Sequence, residues 1–378
     1  MVKNPFDISV NKMIRGSVFF ILMATLITMT LGCAGTRPSG TKNPADFVWP
    51  LPPDQPRIRF VRSIHSEMAL GQRKRSLARK IFESLFGRPR LIALRKPLSV
   101  HVDKRGRLLV VDTGWHKVLI FDFANKKMSF LGNSGRGMLL NPLGVTSDEE
   151  GNIYVTDADG KRVIVYNSEG AYLSAFGGQN ILVRPSGIAV NSKLGYIYVV
   201  DTWAHQVKVF DRKRDNLLFT IGKQGKKFKE VIKGSLDEIW NRGSEPGEFR
   251  FPTNIAIGPQ GHIYVVDTMN FRVQVFDSQG KFIRSFGQIG NTPGTFSRPK
   301  GIGLDSEGHI YVADAAFNNV QIFNQDGKIL LAFGNFGSGL ADLRLPAGLC
   351  VDIRQRIYVV DQLNHRVQVY QYLAKKGS

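Results

Sequence analysis

Pro252-Thr253-Asn254-Ile255-Ala256-Ile257, then His262-Ile263-Tyr264-Val265-Val266-Asp267, then Val273-Gln274-Val275-Phe276-Asp277 and Phe282-Ile283-Arg284-Ser285-Phe286 is the stretch that decides the fold. Each run is short and rich in β-branched and aromatic residues, as strands are. The first two are parted by Pro259-Gln260-Gly261, the second and third by a tight turn through Asn270, and the last two by Ser278-Gln279-Gly280. Gly, Pro and Asn mark turns. Alternation along 273–277 shows one face buried and one wet. The unit is therefore a four-stranded antiparallel meander.

The same unit recurs along the chain. An apolar run ends in Asp, and a Val follows after five intervening residues, at Asp112/Val118, Asp157/Val163, Asp201/Val207, Asp267/Val273, Asp314/Val320 and Asp361/Val367. Successive aspartates are 44 to 47 residues apart, except for 66 between Asp201 and Asp267. A period in that range marks a repeat architecture. All-β repeats run long as one closed unit, so 378 residues make one repeat domain and not two ordinary ones.

The last unit has only three strands, because the chain stops soon after 367–372. Upstream, Arg59-Phe60-Val61-Arg62-Ser63-Ile64 parallels Lys281-Phe282-Ile283-Arg284-Ser285-Phe286, an outermost strand. Residues 57–64 are therefore expected to complete the last blade, which hides an edge that would otherwise invite aggregation.

These units resemble NHL repeats. The likeness is carried by Arg184-Pro185-Ser186-Gly187-Ile188-Ala189-Val190, Ile263-Tyr264-Val265-Val266-Asp267 and Asn364-His365-Arg366-Val367-Gln368-Val369-Tyr370, and it spans roughly residues 57–373. The resemblance implies an all-β six-bladed β-propeller of four-stranded blades, which buries sheet edges by radial repetition. Peptidyl-hydroxyglycine lyases share such a ring, with zinc-binding His directly after the Pro that opens an innermost strand. The matching positions here are Leu98, Leu143, Ser186, Thr253, Lys300 and Ala347. None is His; lactonase-type propellers need acidic or Asn metal ligands near the axis, and none of the six is acidic, with Asn254 alone one step beyond. No catalytic residue, metal or cofactor is expected.

Outside the repeat, Lys3, Lys12 and Arg15 precede an uncharged apolar stretch at 17–31, the layout of an export signal over residues 1–32. Thr30-Leu31-Gly32-Cys33 resembles a bacterial lipobox, which implies a lipid on Cys33. Ala34 follows instead of the Asp that commonly retains lipoproteins in the inner membrane, so a Gram-negative cell would carry it on the outer membrane. Residues 33–56, with Pro38, Pro44, Pro50, Pro52, Pro53 and Pro56, read as a tether without a core of its own. Residues 374–378 are a short tail. The remaining Cys350 has no thiol partner in the exported chain and behaves as a small hydrophobe.

With 51 basic against 31 acidic residues the formal charge is +20, and losing residues 1–32, with three basic residues and one acidic, leaves +18. An acidic partner or an anionic surface is expected. Two departures from the repeat concentrate the signal. Residues 65–96 carry Arg73, Lys74, Arg75, Arg79, Lys80, Arg88, Arg90, Arg95 and Lys96 against Glu67 and Glu83, and Leu77, Ile81 and Leu85 form a helical stripe. Residues 223–250 hold Phe228, Val231, Ile232, Leu236, Ile239 and Trp240 near helical spacing. Both segments join an outermost strand to the next innermost one, so both are expected as short helical insertions on one face of the disc. The same face should carry Trp115, His116, Trp203, His205 and His365, which stand in the turns after the repeat aspartates.

The six aspartates are read as structural, because Asp at a strand-to-turn junction accepts backbone N–H groups two residues on. His116, His205 and His365 occupy equivalent turns of separate blades, too far apart to share a metal. The expectation is an exported, lipid-anchored, monomeric propeller that binds envelope proteins as a non-catalytic scaffold. A lyase- or lactonase-type enzyme and a ligand-binding envelope sensor are the alternatives. Export argues against nucleic acid, although Trp115 and Trp203 could stack bases.

Overall fold

The computed structural model describes residues 46–71, 91–213, 216–222 and 243–374. The repeats form six antiparallel sheets, the blades of a β-propeller, with only short 3-10 turns among the described residues. Blade 1 spans 97–131, blade 2 142–177, blade 3 185–221, blade 4 252–286 and blade 5 299–333; blade 6 combines 346–372 with the N-terminal strand Ile58–Ile64. The innermost strands, Pro97–Val102, Pro142–Ser147, Pro185–Asn191, Pro252–Ile257, Pro299–Leu304 and Pro346–Val351, contact one another in sequence and close the ring, the last against the first.

The strand sequences explain their places. Second strands such as Leu108–Asp112 and Ile263–Asp267 are buried throughout, because both faces of a blade pack on neighbours. Outermost strands such as Phe282–Phe286 alternate between partly buried and exposed residues until a final buried Phe. Every innermost strand opens on Pro, and in every one the register slips just after it. Proline has no N–H for the ladder, so a bulge there costs nothing extra. In four of the six strands the residue two places later is Gly, and there it is a packing requirement: a Cβ at Gly301 would lie 2.1 Å from the Ala347 carbonyl oxygen, and one at Gly144 2.2 Å from that of Ser186. Around the axis the strands approach backbone to backbone.

The core consists of six apolar seams, one between each pair of adjacent blades. Blades 1 and 2, for example, share Leu109, Val111, Leu131, Leu139, Val155, Ile164 and Tyr166, and blades 6 and 1 share Leu108, Val110, Phe121, Tyr358, Val360 and Val367. Burying side chains of this size contributes about 2 kcal/mol each. Stability is thus spread around the ring.

Ile58–Ile64 pairs antiparallel with Arg366–Tyr372, from Ile58 opposite Tyr372 to Ile64 opposite Val367, so the N-terminal strand closes the last blade. The reading of 33–56 as a tether without a core needs correction over its described part. Val48–Trp49 adds a fifth strand outside Ile58–Arg59. Phe47 packs on Phe60, and Trp49 lies against both Phe333 and Tyr370 with ring centroids 5.8 Å apart. Two aromatic side chains gain enough from this seam to order a proline-rich segment. Residues 1–45, with the export signal and Cys33, lie outside the described residues. So do residues 72–90 and 223–242, on which the two expected helices fall.

Candidate functional site

The disc has two distinct faces. One carries the connections from each blade to the next and the turns after the repeat aspartates, and is called here the strand-joining face. The other carries the turns that follow the innermost strands, and is called the channel face.

On the strand-joining face the six aspartates are fully buried. Their carboxylates accept N–H groups from the segment that leads into the innermost strand of the same blade: Arg95 and Lys96 for Asp112, Leu140 and Asn141 for Asp157, Val183 and Arg184 for Asp201, Arg250 for Asp267, Ser297 and Arg298 for Asp314, Arg344 for Asp361. The expected bond from two residues on is made only to Asp112, by Gly114, and to Asp314, by Ala316. The dominant contact reaches back 16 to 18 residues, a distance no local turn motif displays.

Charge compensation alternates around the ring. Asp157, Asp267 and Asp361 pair with Arg162, Arg272 and Arg366 at 3.3, 2.9 and 2.6 Å. Asp112 and Asp314 have no such arginine, and each adds two turn N–H groups instead. Burial pushes the Asp267 and Asp361 carboxyls above the usual carboxylate range, against the lowering by Arg250 N–H, Asn270 and Arg272 at one and by Asn364 and Arg366 at the other.

The three histidines do not converge. The position four residues after each repeat Asp takes left-handed backbone, with φ between 50° and 56° in all six blades. His and Asn are among the residues that tolerate this region best. From there each side chain clasps the next blade. His116 Nδ1 donates to the Leu140 carbonyl at 2.7 Å, His365 Nδ1 donates to the Arg95 carbonyl, and His205 Nδ1 accepts the Phe251 N–H at 3.0 Å. Asn318 accepts the Leu345 N–H in the same way. Each thus stitches one blade to the next. Trp115 is likewise engaged, its indole N–H donating to Ala93 O while the Arg95 guanidinium lies 3.5 Å from its ring centre. Trp203 is 58% exposed, with Arg184 above its ring at 5.0 Å. Among the described residues no three His, Cys, Asp or Glu side chains gather closely enough to hold a metal ion. Arg73, Lys74, Arg75, Arg79, Lys80, Phe228 and Trp240 lie outside the described residues.

What the sequence reading missed on this face is a ring of cations. Within two residues of the strand-opening prolines stand Arg95, Lys96, Arg184, Arg250, Arg298, Lys300 and Arg344, with no acidic residue at the two positions before or the one after each Pro. Lys300 sits partly buried at the mouth of the ring, and burial, then the nearby Arg298, lowers its pKa. Phe251, Phe336, Met269 and Leu363 are exposed between the cations. The signal was legible as a basic residue before Pro, in Lys96-Pro97, Arg184-Pro185 and Arg298-Pro299, but it needs the ring to become a patch.

Comparison with known proteins agrees with the architecture. The NHL repeat model matches residues 182–210 and 343–370, and a model described as a 6-bladed beta-propeller matches residues 258–316. The chain thus carries NHL repeats in a six-bladed β-propeller. Human NHL repeat-containing protein 2 is 27% identical over 103 residues, 27% of this chain and 13% of that protein. The Drosophila melanogaster protein brain tumor is 42% identical over 48 residues, 13% of this chain and 5% of its own length. The chain therefore spans only a small part of these relatives. An auxiliary nutrient binding protein from Bacteroides thetaiotaomicron superposes with a TM-score of 0.55 at 17% identity, covering 74% of this chain and 70% of that one. Virginiamycin B lyase from Staphylococcus aureus superposes with a TM-score of 0.52 at 13% identity, covering 74% and 95%. At these identities the likeness is one of fold.

Proposed function

We propose that this propeller is a non-catalytic binding platform of the cell envelope, anchored by a lipid on Cys33, and that its strand-joining face takes an acidic protein surface. The observation that carries the reading is the cation ring. Arg95, Lys96, Arg298 and Arg344 are exposed and reach no carboxylate within ion-pair distance among the described residues. Exposed Trp203, Phe251 and Phe336 lie among them. Arginine and aromatic side chains together are the composition of protein-contact anchors. The basic stretch 73–80 precedes Arg95 in the same blade connection and adds charge of the same sign. The position of the anchor and the export of the chain rest on the sequence of residues 1–33.

Crosslinked envelope proteins recovered with the wild type, with an Arg184→Glu/Arg298→Glu/Arg344→Glu variant and with Cys33→Ser test the reading. The triple variant should lose its partner about tenfold or more, and wild-type recovery should fall as salt rises. Recovery indifferent to both charge and salt would sink it. The competing reading, an enzyme of lyase or lactonase type, predicts stoichiometric zinc or calcium in the purified protein.

A further inference from the structure

The channel face opens into a cavity of about 1080 Å³, at the upper end of the range for small-molecule sites. Its walls hold acids and bases: Arg105 pairs with Glu169 at 2.7 Å, Glu149 is an exposed carboxylate of the lining, and three aspartates are engaged. Asp103 pairs with Arg107 at 2.7 Å, and Asp148 is held by Arg212 and the Tyr154 hydroxyl, both at 2.9 Å. Asp352 accepts the N–H groups of Arg354 and Arg356 and the hydroxyl of Tyr358. Asp103 and Asp352 serve their own turns, and Asp148 also ties in Arg212 of blade 3.

Two bases on one wall pair with no carboxylate among the described residues, although Arg356 is hydrogen-bonded to Tyr358. Arg62 comes from the closing strand Ile58–Ile64, and Arg356 from the same blade two strands away. Both are partly buried, and neither reaches a carboxylate within ion-pair distance among the described residues. The Arg62 guanidinium lies 4.2 Å from the centre of the Phe123 ring of blade 1, which fixes its plane. Burial lowers its pKa; the nearby Tyr358 opposes this and the charge of Arg356 adds to it. Exposed Lys193 and Arg354 stand on the rim. His101 Nε2, also in the lining, lies 2.9 Å from Ser147 Oγ, and burial pushes the imidazole down to about 4, so this side chain adds no positive charge at neutral pH. Two partly buried guanidiniums on one cavity wall without a carboxylate partner favour an anion beside them.

We infer that the channel face holds a site for a small carboxylate- or phosphate-bearing molecule, with Arg62 and Arg356 as its anion clamp. Guanidinium is the group suited to bidentate contact with either anion. The site exists only when the ring is closed, because Arg62 arrives on the N-terminal strand and Phe123 on blade 1. It lies on the face opposite the cation ring and is independent of the protein-binding reading.

Titration calorimetry on the full-length protein with citrate, glucose 6-phosphate and neutral glucose tests this. Citrate, glucose 6-phosphate or both should bind while glucose does not; which of the two binds identifies the anion. Arg62→Gln/Arg356→Gln should weaken binding about tenfold or more, whereas Arg184→Glu/Arg344→Glu on the opposite face should leave it unchanged. Should the double variant fail to show a wild-type melting transition, Arg356→Gln alone carries the test, since Arg356 adds no residue to the closing strand. Failure of both anions to bind the wild type, or unchanged binding by a folded clamp variant, would overturn the inference.

Discussion

On the strand-joining face, six buried aspartates recur without exception and hold the segments that lead into the innermost strands. On the channel face the corresponding turns carry Asp103, Asp148, Asp305 and Asp352 in four blades, but Asn191 and Gly258 in the other two. Both sets of carboxylates serve the backbone: Asp352 accepts two turn N–H groups and a Tyr hydroxyl much as Asp112 accepts four N–H groups. The difference is reach. Asp112 ties its turn to Arg95 and Lys96, 16 and 17 residues back, whereas Asp352 bonds only within six residues of itself. An aspartate that joins distant segments must be kept in every blade, while one that finishes a local turn can be exchanged for Asn or Gly. The faces differ in charge for the same reason. Where aspartates absorb the backbone donors and stay buried, the basic side chains next to them are left outward as a ring. On the channel face Arg105, Arg107 and Arg212 are paired with carboxylates, while Arg62 and Arg356 meet the cavity without one among the described residues.

The largest expected effect comes from the strand that both faces depend on. Deleting residues 46–64 removes the outer edge of blade 6, the Phe47 and Trp49 packing and Arg62 together, and should lower the melting temperature sharply or abolish the cooperative transition. An unchanged melt would disprove ring closure by this segment. Next, Asp112→Ala strands four backbone N–H groups in a buried site and should cost about 3 kcal/mol or more, while Asp352→Ala, partly exposed and local, should cost about 1 kcal/mol. Denaturant unfolding of the two variants compares them directly; equal losses would break the contrast between faces.

The smallest effect is in pH dependence. His101 titrates at about 4 in the folded chain against an ordinary value of 6.5. The unfolded chain therefore binds more protons between those values, and stability falls as pH drops from 6.5 toward 4. His101→Asn should flatten that acid limb without altering stability at pH 8. His309 has the opposite sign. Its bond to Asp305 raises its pKa against the opposing effect of burial, so its contribution is present below 6.5 and lost as pH rises through the folded value. Melting curves of His101→Asn and His309→Asn across the acid range would separate the two.

Much of this was written in the repeat. The period, the Asp-to-Val spacing and the likeness between 59–64 and 281–286 are local features, and they led to six blades and an N-terminal closing strand. The structural reading of the aspartates was also available, since six copies of one residue suit a scaffold better than a single site. The identity of their partners was not, because hydrogen bonds reaching back 16 to 18 residues leave no periodic trace. The interblade bonds of His116, His205 and His365 were hidden for a related reason: only the position of Leu140, Phe251 and Arg95 shows that a His in this turn reaches the next blade. Phe47 and Trp49 were lost among prolines, whose usual meaning is an extended linker.

The sequence by itself determined the unit, its number and its order, because strands, turns and the Pro-x-Gly approach follow from side-chain period and backbone sterics within a few residues. Only the tertiary structure decided which charges are spent and which are free. Arg62 and Arg356 are 294 residues apart in the chain, and the cations of the other face come from five different blades. A pair of like charges facing one cavity, or a ring of them around one axis, is a property of closure, and closure brings together residues whose spacing in the chain carries no sign that they will meet.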